Sequence, residues 1–545
     1  MGKATDWHFA HALECVADCI PDRVALIDSH ATRTWKDYED RAARLAGALD
    51  RAGIRPGSKI GLLMHNSNVY LESHFAAFKL GASPINVNYR YREQELAYLL
   101  DNADVEVLVY HDAYREVIAD VAPSLPRLKI LVEAPLDGKA GDPPSGVLRY
   151  DTVLETNAPL PRRKQSADDL YILYTGGTTG LPKGVMFRNG ATCKHLAQGY
   201  RMFGMPTPDT LDDVPAALEI GLSKSSLPVS LVVCPLMHGT GIWVGAMNPQ
   251  LAGGCVLTIP ELGLDADRIW RLVEQHRVTF LTIVGDAFGV PMLEALDIAA
   301  SDGRPYDVSS LRTIISSGVM WSSEVKRGLL RHGDFTLIDA IGSTEAAMGG
   351  SVTRRGHEAK TGRFTINANA RIISDDGRMI EPGSGETGRL ASPSAMIGYY
   401  KDPKKTQEII TEIDGVHYVV PGDYAAYEDD GSIRLLGRGS TCINTAGEKV
   451  YPEEVEETLK LHPLVIDCLV IGQPDNRYGQ RVVALVAVAA PVDTAEILSH
   501  ARNLIAGYKV PKEVFLTDAV QRAPNGKPDY EWAKSVVAKY SGLAN

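Results

Sequence analysis

Residues 175–183 form a segment rich in glycine and threonine directly after a short apolar run at residues 170–174. An apolar run of this length bounded by glycine predicts a buried β-strand. The nine following residues include three glycines, three threonines and one lysine. Glycines let backbone N–H groups approach a ligand closely, and hydroxyls and a lysine add donors and positive charge. The pattern therefore predicts a phosphate-binding loop formed by Thr175, Gly176, Gly177, Thr178, Thr179, Gly180 and Lys183.

This loop is not the GxxxxGK[ST] loop of many nucleotide-binding proteins. Gly184 follows Lys183, where that loop has a Ser or Thr to hold magnesium. A simple mobile turn is the alternative interpretation, but so long a run of this composition favours the phosphate-binding one.

Length and composition indicate a globular protein with more than one core. A chain of 545 residues is too long for a single core, and its shares of 45% apolar and 23% charged residues are ordinary. The net charge of −12 argues against a nucleic-acid partner, which would require a basic face. The seven cysteines show neither metal-site spacing nor a disulfide framework. We expect a cytoplasmic protein with no membrane span.

Strand-like and helix-like segments alternate through most of the chain, which predicts an α/β fold. Examples are a strand at 59–64 followed by a helix at 69–80. A turn signal at 429–431 precedes a compact stretch with a helix at 452–461 and strands at 468–472 and 482–489. This change of pattern predicts a smaller C-terminal α+β domain.

Further motifs follow the loop in order: 341–345 (IGSTE), 421–423 (PGD), 436–438 (LGR), 447–456 (GEKVYPEEVE) and 524–527 (PNGK). Together with the loop, they resemble the adenylate-forming superfamily, which comprises acyl-CoA synthetases, aryl-CoA ligases, luciferases and adenylation domains of peptide synthetases. The resemblance covers the chain nearly end to end. It implies a large, multi-lobed N-terminal domain of layered sheets and helices at 1–436, a hinge at 437–440, and a smaller mobile lid at 441–545.

The resemblance also implies a two-step reaction that uses ATP, Mg²⁺ and CoA. A carboxylate attacks the α-phosphate of ATP to give acyl-AMP and pyrophosphate, and the CoA thiol then displaces AMP. Glu345 is the expected magnesium ligand, because magnesium prefers hard oxygen donors, and Thr344 lies near the α-phosphate. Lys527 bridges the carboxylate and the α-phosphate once the lid closes. His238 is expected beside the acyl carboxylate.

The resemblance also implies which residues contact the nucleotide. Asp423 suits two ribose hydroxyls because a carboxylate accepts both hydrogen bonds, and Arg438 is the second ribose or phosphate partner. Ile341 stands where the family usually has an aromatic residue that stacks on adenine. The remaining nucleotide contacts are expected at Gly318, Gly342 and Ser343.

The thiol-transfer step depends on residues that depart from the family pattern. Ser440 replaces the usual Asp or Lys of the hinge, and Ala446 precedes Gly447 where the CoA channel often has a second glycine. An enzyme that makes only acyl-AMP and passes it to a partner synthetase or a carrier protein is therefore an alternative. A non-catalytic homologue is disfavoured, because Lys183, Glu345 and Lys527 are all present.

The acid itself is constrained least by the sequence. Small residues, and a segment at 204–230 that we interpret as wall material near the acyl site, favour a bulky hydrophobic carboxylic acid. The chain looks most like actinobacterial synthetases for steroid side chains and similar polycyclic, terpenoid-like acids. Medium- or long-chain fatty acids and aryl acids remain open, as does a homodimer.

Overall fold

The computed structural model describes residues 7–138, 141–175, 182–261, 263–357, 360–445, 448–475, 479–505, 507–522 and 526–540. The helices are α1 Phe9–Cys19, α2 Trp35–Arg51, α3 Asn68–Lys79, α4 Glu93–Asn102, α5 Arg115–Val121, α6 Tyr150–Thr156, α7 Asn189–Leu196, α8 Val214–Ser223, α9 Asn248–Leu251, α10 Ala266–His276, α11 Gly285–Ser301, α12 Ser323–His332, α13 Pro403–Ile409, α14 Pro452–Lys460, α15 Thr494–Arg502 and α16 Tyr530–Tyr540.

The strands are β1 Val24–Ile27, β2 Thr32–Thr34, β3 Lys59–Leu63, β4 Ser83–Asn86, β5 Val105–His111, β6 Ile130–Ala134, β7 Leu148–Arg149, β8 Leu170–Thr175, β9 Lys183–Arg188, β10 Val229–Val232, β11 Cys255–Thr258, β12 Phe280–Ile283, β13 Thr313–Ser317, β14 Thr336–Gly342, β15 Ala347–Thr353, β16 Arg363–Ile366, β17 Arg371–Ile373, β18 Thr387–Ala391, β19 Met396–Tyr399, β20 Ile410–Ile413, β21 Val416–Val419, β22 Asp423–Tyr427, β23 Ile433–Arg438, β24 Ile443–Thr445, β25 Glu448–Val450, β26 Val465–Asp475, β27 Gly479–Val488 and β28 Glu513–Thr517. A π-helical segment, Thr240–Met247, lies between β10 and α9.

A large mixed sheet organises the N-terminal part of the chain. Its strand order is β17-β18-β22-β23-β16-β15-β14-β13-β12-β10-β11-β1-β2. The strands from β14 to β11 in this order pair in parallel and are mostly apolar, as expected when helices cover both faces of a sheet. β13 ends at Ser317, which pairs with Ala340, and β14 ends two residues later at Gly342. The segments after these two strands therefore meet at one edge of the sheet.

Two further sheets complete this part of the fold. The five strands β4-β3-β5-β6-β7 pair in parallel, and α3 and α4 connect successive strands. The strands β19-β9-β8 form an antiparallel sheet. In this sheet Thr175 pairs with Lys183, so the phosphate-binding loop predicted from sequence joins the two strands of a hairpin.

The C-terminal part has its own sheet and its own cores. β26 and β27 form a long antiparallel pair, β24 and β25 extend it on one side, and β28 joins β27 in parallel. Two apolar clusters on opposite faces of this sheet consist only of residues from 443 onward. The prediction of a large N-terminal α/β domain and a smaller α+β domain is thus confirmed. The boundaries at 436 and 441 stay a prediction; β23, which ends at Arg438, belongs to the large sheet.

Helix α8 lies within the segment 204–230 and packs against α1; the expectation that this segment forms wall material near the acyl site stays a prediction. Leu218 and Ala217 are buried, and Met205 fills the space beside Gly221. The Cys15 thiol of α1 donates to the carbonyl of Leu211 just before α8. Among the described residues, no helix is long and apolar enough to cross a membrane.

Candidate functional site

A cavity of about 1240 Å³ lies where the N-terminal domain meets the C-terminal domain. Its lining joins segments that are far apart in sequence. They are the end of β8 and the start of β9, the segments after β13 and β14, the start of β22, helix α14 and the segment before α16. The predicted site residues that line it are Thr175, Lys183, Gly318, Ile341, Gly342, Ser343, Thr344, Glu345, Asp423 and Lys527. Ten residues chosen from sequence motifs therefore meet in one cavity.

The other predicted site residues are placed less completely. Gly176, Gly177, Thr178, Thr179, Gly180, Ala446 and Gly447 lie outside the described residues. The backbone of Arg438 pairs with that of Asp423 across β22 and β23, but the arginine side chain is not described. His238 is half-buried just before the π-helical segment and is not among the residues that line the cavity.

Glu345 is held by a residue that the motifs did not reveal. The Tyr399 hydroxyl donates to Glu345 Oε1 at 2.7 Å, and both side chains are buried. The hydroxyl of Ser394 donates to the backbone carbonyl of Glu345. The Lys183 ammonium lies 5.7 Å from the centre of the Tyr399 ring. One tyrosine thus contacts both the predicted magnesium ligand and the lysine of the predicted phosphate-binding loop.

Tyr399 reaches this place through strand pairing. It ends β19, where it pairs with Val185 of β9. No local sequence pattern marks a contact between residues so far apart. The pairing of an apolar strand around 396–399 with the strand after the glycine loop is the signal that could have found it.

Open backbone and an unpaired hydroxyl lie on the neighbouring wall. Gly318 has φ 91°, a left-handed conformation that favours glycine, and a Cβ added there would meet nothing within 4 Å. The Ser343 Oγ is buried and has no hydrogen-bond partner among the described residues. A ligand with polar edges would fill both features, because a buried hydroxyl is normally hydrogen-bonded.

A buried ion pair lies beneath the same wall. Lys326 of α12 bonds Asp339 of β14 with Nζ and Oδ2 2.7 Å apart, and both residues are almost fully buried. Burial raises the pKa of Asp339 to about 6 although Lys326 acts in the opposite direction. The nearby Asp286 carboxylate accepts from the backbone N–H and the hydroxyl of Ser322, while burial raises its pKa. The motif analysis missed this pair, because neither residue belongs to a recognised motif.

The C-terminal domain is docked against the cavity through the segment that carries Lys527. A Cβ added at Gly526 would lie 3.0 Å from Cβ of Ala287 in α11. Burial lowers the pKa of His238 to about 4, and the positive charges of Lys527 and Arg90 lower it further. At neutral pH the His238 imidazole is therefore uncharged.

Helix α14 forms another part of this contact. Arg434 of β23 bonds Glu454 of α14 at 2.7 Å, and Lys509 bonds the same carboxylate at 2.8 Å. Glu457, one turn further along α14, faces Gly362 of the N-terminal domain, and its Oε1 has no hydrogen-bond partner among the described residues. Burial raises the pKa of Glu457 to about 7. Burial therefore favours the protonated form of the Glu457 carboxyl.

Comparisons with known proteins agree with this arrangement. An AMP-binding enzyme family model matches residues 13–400, and the model of the AMP-binding enzyme C-terminal domain matches residues 454–527. A 3-oxocholest-4-en-26-oate–CoA ligase of Rhodococcus rhodochrous is 40% identical over 536 residues, which cover 97% of this chain and 95% of the relative. A medium/long-chain-fatty-acid–CoA/3-oxocholest-4-en-26-oate–CoA ligase of Mycolicibacterium smegmatis is 39% identical, and the alignment covers 97% of this chain and 96% of that relative.

Solved structures share the fold at lower identity. The anthranilate CoA ligase AuaEII in complex with anthranoyl-AMP superposes with a TM-score of 0.84 over 99% of both chains, at 21% identity. ATP-bound MatB from Rhodopseudomonas palustris gives a TM-score of 0.76 over 97% of this chain and 99% of its own, at 22% identity. The family models cover most of the sequence and the relatives align over nearly all of it, so this chain belongs to the AMP-binding enzyme family, the adenylate-forming group that its motifs resemble.

Proposed function

We propose that this protein activates a bulky hydrophobic carboxylic acid with ATP and transfers the acyl group to CoA. The substrate carboxylate attacks the α-phosphorus of ATP, and pyrophosphate leaves to give acyl-AMP. The CoA thiol then loses its proton and attacks the acyl carbon, and AMP leaves to give the thioester. The observation that carries the proposal is the single cavity in which residues of both domains converge, including Glu345, Asp423 and Lys527.

The donor set of the cavity fits a nucleotide. Gly318 leaves open space beside the backbone, and the buried Ser343 hydroxyl has no hydrogen-bond partner in the part of the chain that the structure describes. Asp423 begins β22 at the cavity and offers two carboxylate oxygens to ribose hydroxyls. Thr175 and Lys183 fix the two ends of the loop that we assign to the phosphates.

In the first step the negatively charged substrate carboxylate approaches the negatively charged phosphates of ATP. Positively charged groups are therefore needed to reduce the repulsion. Lys527 would contact the carboxylate and the α-phosphate together, and its place in the docked C-terminal domain supplies the charge only when the domains meet. Glu345 would hold Mg²⁺ with phosphate oxygens as the other ligands. The metal would neutralise phosphate charge. The Tyr399 hydroxyl orients the Glu345 carboxylate for this task.

His238 fits a role beside the acyl group rather than as a cation. Its imidazole is neutral at physiological pH, and the positive charge of Lys527 helps to lower its pKa. We assign it to the position next to the substrate carboxylate. Arg438, Ala446 and Gly447 keep the roles that the family resemblance implies, as contacts of the nucleotide and of the CoA arm.

The relatives support a polycyclic acid as substrate. Two of them are named for 3-oxocholest-4-en-26-oate, a steroid acid, and one of these is also named for medium- and long-chain fatty acids. We infer a steroid- or terpenoid-like acid, with a medium- or long-chain fatty acid as the alternative. We further propose a cytoplasmic location, which the scattered free cysteines support.

A product screen by mass spectrometry tests the proposal. The full chain is incubated with ATP, Mg²⁺ and CoA and with steroid, terpenoid, fatty or aryl acids, and acyl-AMP and acyl-CoA are both quantified. We expect acyl-CoA from a steroid-type acid, and acyl-AMP alone when CoA is omitted. Acyl-AMP that never becomes acyl-CoA would instead identify an enzyme that hands its adenylate to another protein. No acyl-AMP from any acid would overturn the proposal.

A further inference from the structure

A second, smaller cavity of about 370 Å³ lies on the surface of the N-terminal domain. We call it the arginine cleft; its cationic lining consists of Arg327, Arg331, Arg354, Arg355 and His357. Five of its seven lining residues are thus arginine or histidine, and none is acidic. The chain as a whole has 68 acidic and 56 basic residues, so this concentration of one sign is local.

Two elements bring these side chains together. Arg327 and Arg331 stand four residues apart on α12 and so share one face of the helix. Arg354 and Arg355 belong to the turn after β15, which is closed by the N–H of His357 donating to the carbonyl of Arg354 at 3.0 Å. Gly356 in this turn has φ 81° and permits it.

Carboxylates neutralise little of this charge. Arg331 lies 3.4 Å from Asp297. The other three arginines donate to neutral oxygens, namely the carbonyl of Ser323, the hydroxyl of Thr336 and the carbonyl of Leu330. Within the described part of the chain, none of these three forms an ion pair; Glu358, beside the cleft in sequence, lies outside it.

Capping of a helix end explains only part of the cluster. Arg355 donates to Leu330 in the last turn of α12, where a cation stabilises the helix. Arg327 lies a full turn earlier and also lines the large cavity, together with Lys360. The arginine cleft therefore shares Arg327 with the large cavity, whose lining also includes the acidic residues Glu294, Asp297 and Glu324.

We propose that the arginine cleft binds a small phosphate-bearing anion. Guanidinium groups match phosphate oxygens in a two-pronged geometry, and several of them around one concave site form a typical phosphate-binding arrangement. The cleft has the size of a small-ligand pocket, which favours a compact anion over a macromolecule. Two sources share this chemistry: the 3′-phosphorylated nucleotide end of CoA, and free pyrophosphate. The binding itself goes beyond the proposed function, and only the choice of source rests on it.

Calorimetric titration of the full chain tests the binding. The probes are adenosine 3′,5′-bisphosphate and inorganic pyrophosphate, each at fixed ionic strength. The variants are the double substitution Arg354→Gln/Arg355→Gln and, from the other element, Arg327→Gln. Arg271→Gln is the matched control, because Arg271 is an exposed arginine of α10 that pairs with Asp267 away from the cleft. Circular dichroism confirms that each variant is folded.

We expect the dissociation constant of at least one probe to rise about tenfold or more in both cleft variants, because each loses hydrogen bonds to a charged ligand. The control should stay within about twofold. A loss confined to the bisphosphate, with a higher KM for CoA and an unchanged KM for dephospho-CoA, identifies the CoA end as the ligand. A loss confined to pyrophosphate identifies the free anion. Unchanged affinity for both probes in the cleft variants overturns the proposal, whether or not acyl-AMP is formed.

Discussion

Replacing Tyr399 with Phe should weaken the use of Mg²⁺ without changing the shape of the site. The substitution removes one hydroxyl, which donates to Glu345 Oε1 at 2.7 Å, and keeps the ring that lies below the Lys183 ammonium. Glu345 is buried, so water does not readily replace the lost donor. The carboxylate would then sample orientations that do not suit the metal.

The expected size follows from the kind of contact. Removing a group that orients a metal ligand typically costs about 10- to 100-fold in metal affinity or activity. We therefore expect the Mg²⁺ concentration for half-maximal pyrophosphate release to rise at least about tenfold, which corresponds to about 1.4 kcal/mol.

Tyr400→Phe provides the matched control for this experiment. Its hydroxyl donates to Asp104 at 2.8 Å, and Tyr400 does not line the cavity. The assay follows pyrophosphate release against Mg²⁺ concentration at constant ATP, acid and pH. If Tyr399→Phe and Tyr400→Phe give the same Mg²⁺ curve as the unchanged protein, Tyr399 does not orient a metal ligand.

Four further predictions concern the two domains and their contact. Lys527→Ala should slow pyrophosphate release by about 100-fold or more, because the cation stabilises charge only in the docked state, and a change within about threefold would refute its role. Glu457→Gln should raise the thermal unfolding temperature above pH 7. Burial raises the pKa of Glu457 to about 7 in the folded protein, so folding favours the protonated carboxyl. The stability of the unchanged protein is therefore full at low pH and falls as the pH rises toward and through 7. The gain should vanish near pH 4, and a gain independent of pH would contradict this cause. Lys326→Met should destabilise the protein by about 3 kcal/mol or more in denaturant unfolding, since it strands a buried Asp339, and adding Asp339→Asn should recover much of the loss. Ala446→Gly should speed thioester formation from preformed acyl-AMP in stopped-flow assays while leaving adenylation unchanged, because the family resemblance places this residue in the CoA channel, where a methyl group would narrow the passage; an unchanged rate of thioester formation would contradict this role.

Local sequence patterns were sufficient for several elements of the fold. The apolar run at 170–174 is β8, and the proline-initiated helix expected at 452–461 is α14, which ends one residue earlier at Lys460. Motif residues near the ends of strands, such as Ile341, line the cavity because β13 and β14 are parallel neighbours whose carboxyl ends lie at the same edge of the sheet. In these cases composition and periodicity carry the information.

Contacts between distant segments escaped the same reasoning. Tyr399 reaches Glu345 only after β19 pairs with β9, and Lys326 reaches Asp339 only after α12 packs on β14. Helix α8, within the segment at 204–230, packs against α1, and no local pattern identifies that partner. Periodicity shows that a face will be buried and does not show which partner covers it.

The hairpin formed by β8 and β9 limits how this protein can change by mutation. β9 is paired on one side with β8, from Leu170–Arg188 through Thr175–Lys183, and on the other with β19. A single residue inserted into β9 would turn every side chain beyond it to the opposite face and break both ladders at once. Substitutions in the loop, in contrast, leave the positions of its two ends unchanged. Libraries that vary the phosphate-binding loop should therefore change residue identity at 176–182 and preserve the number of residues in both strands.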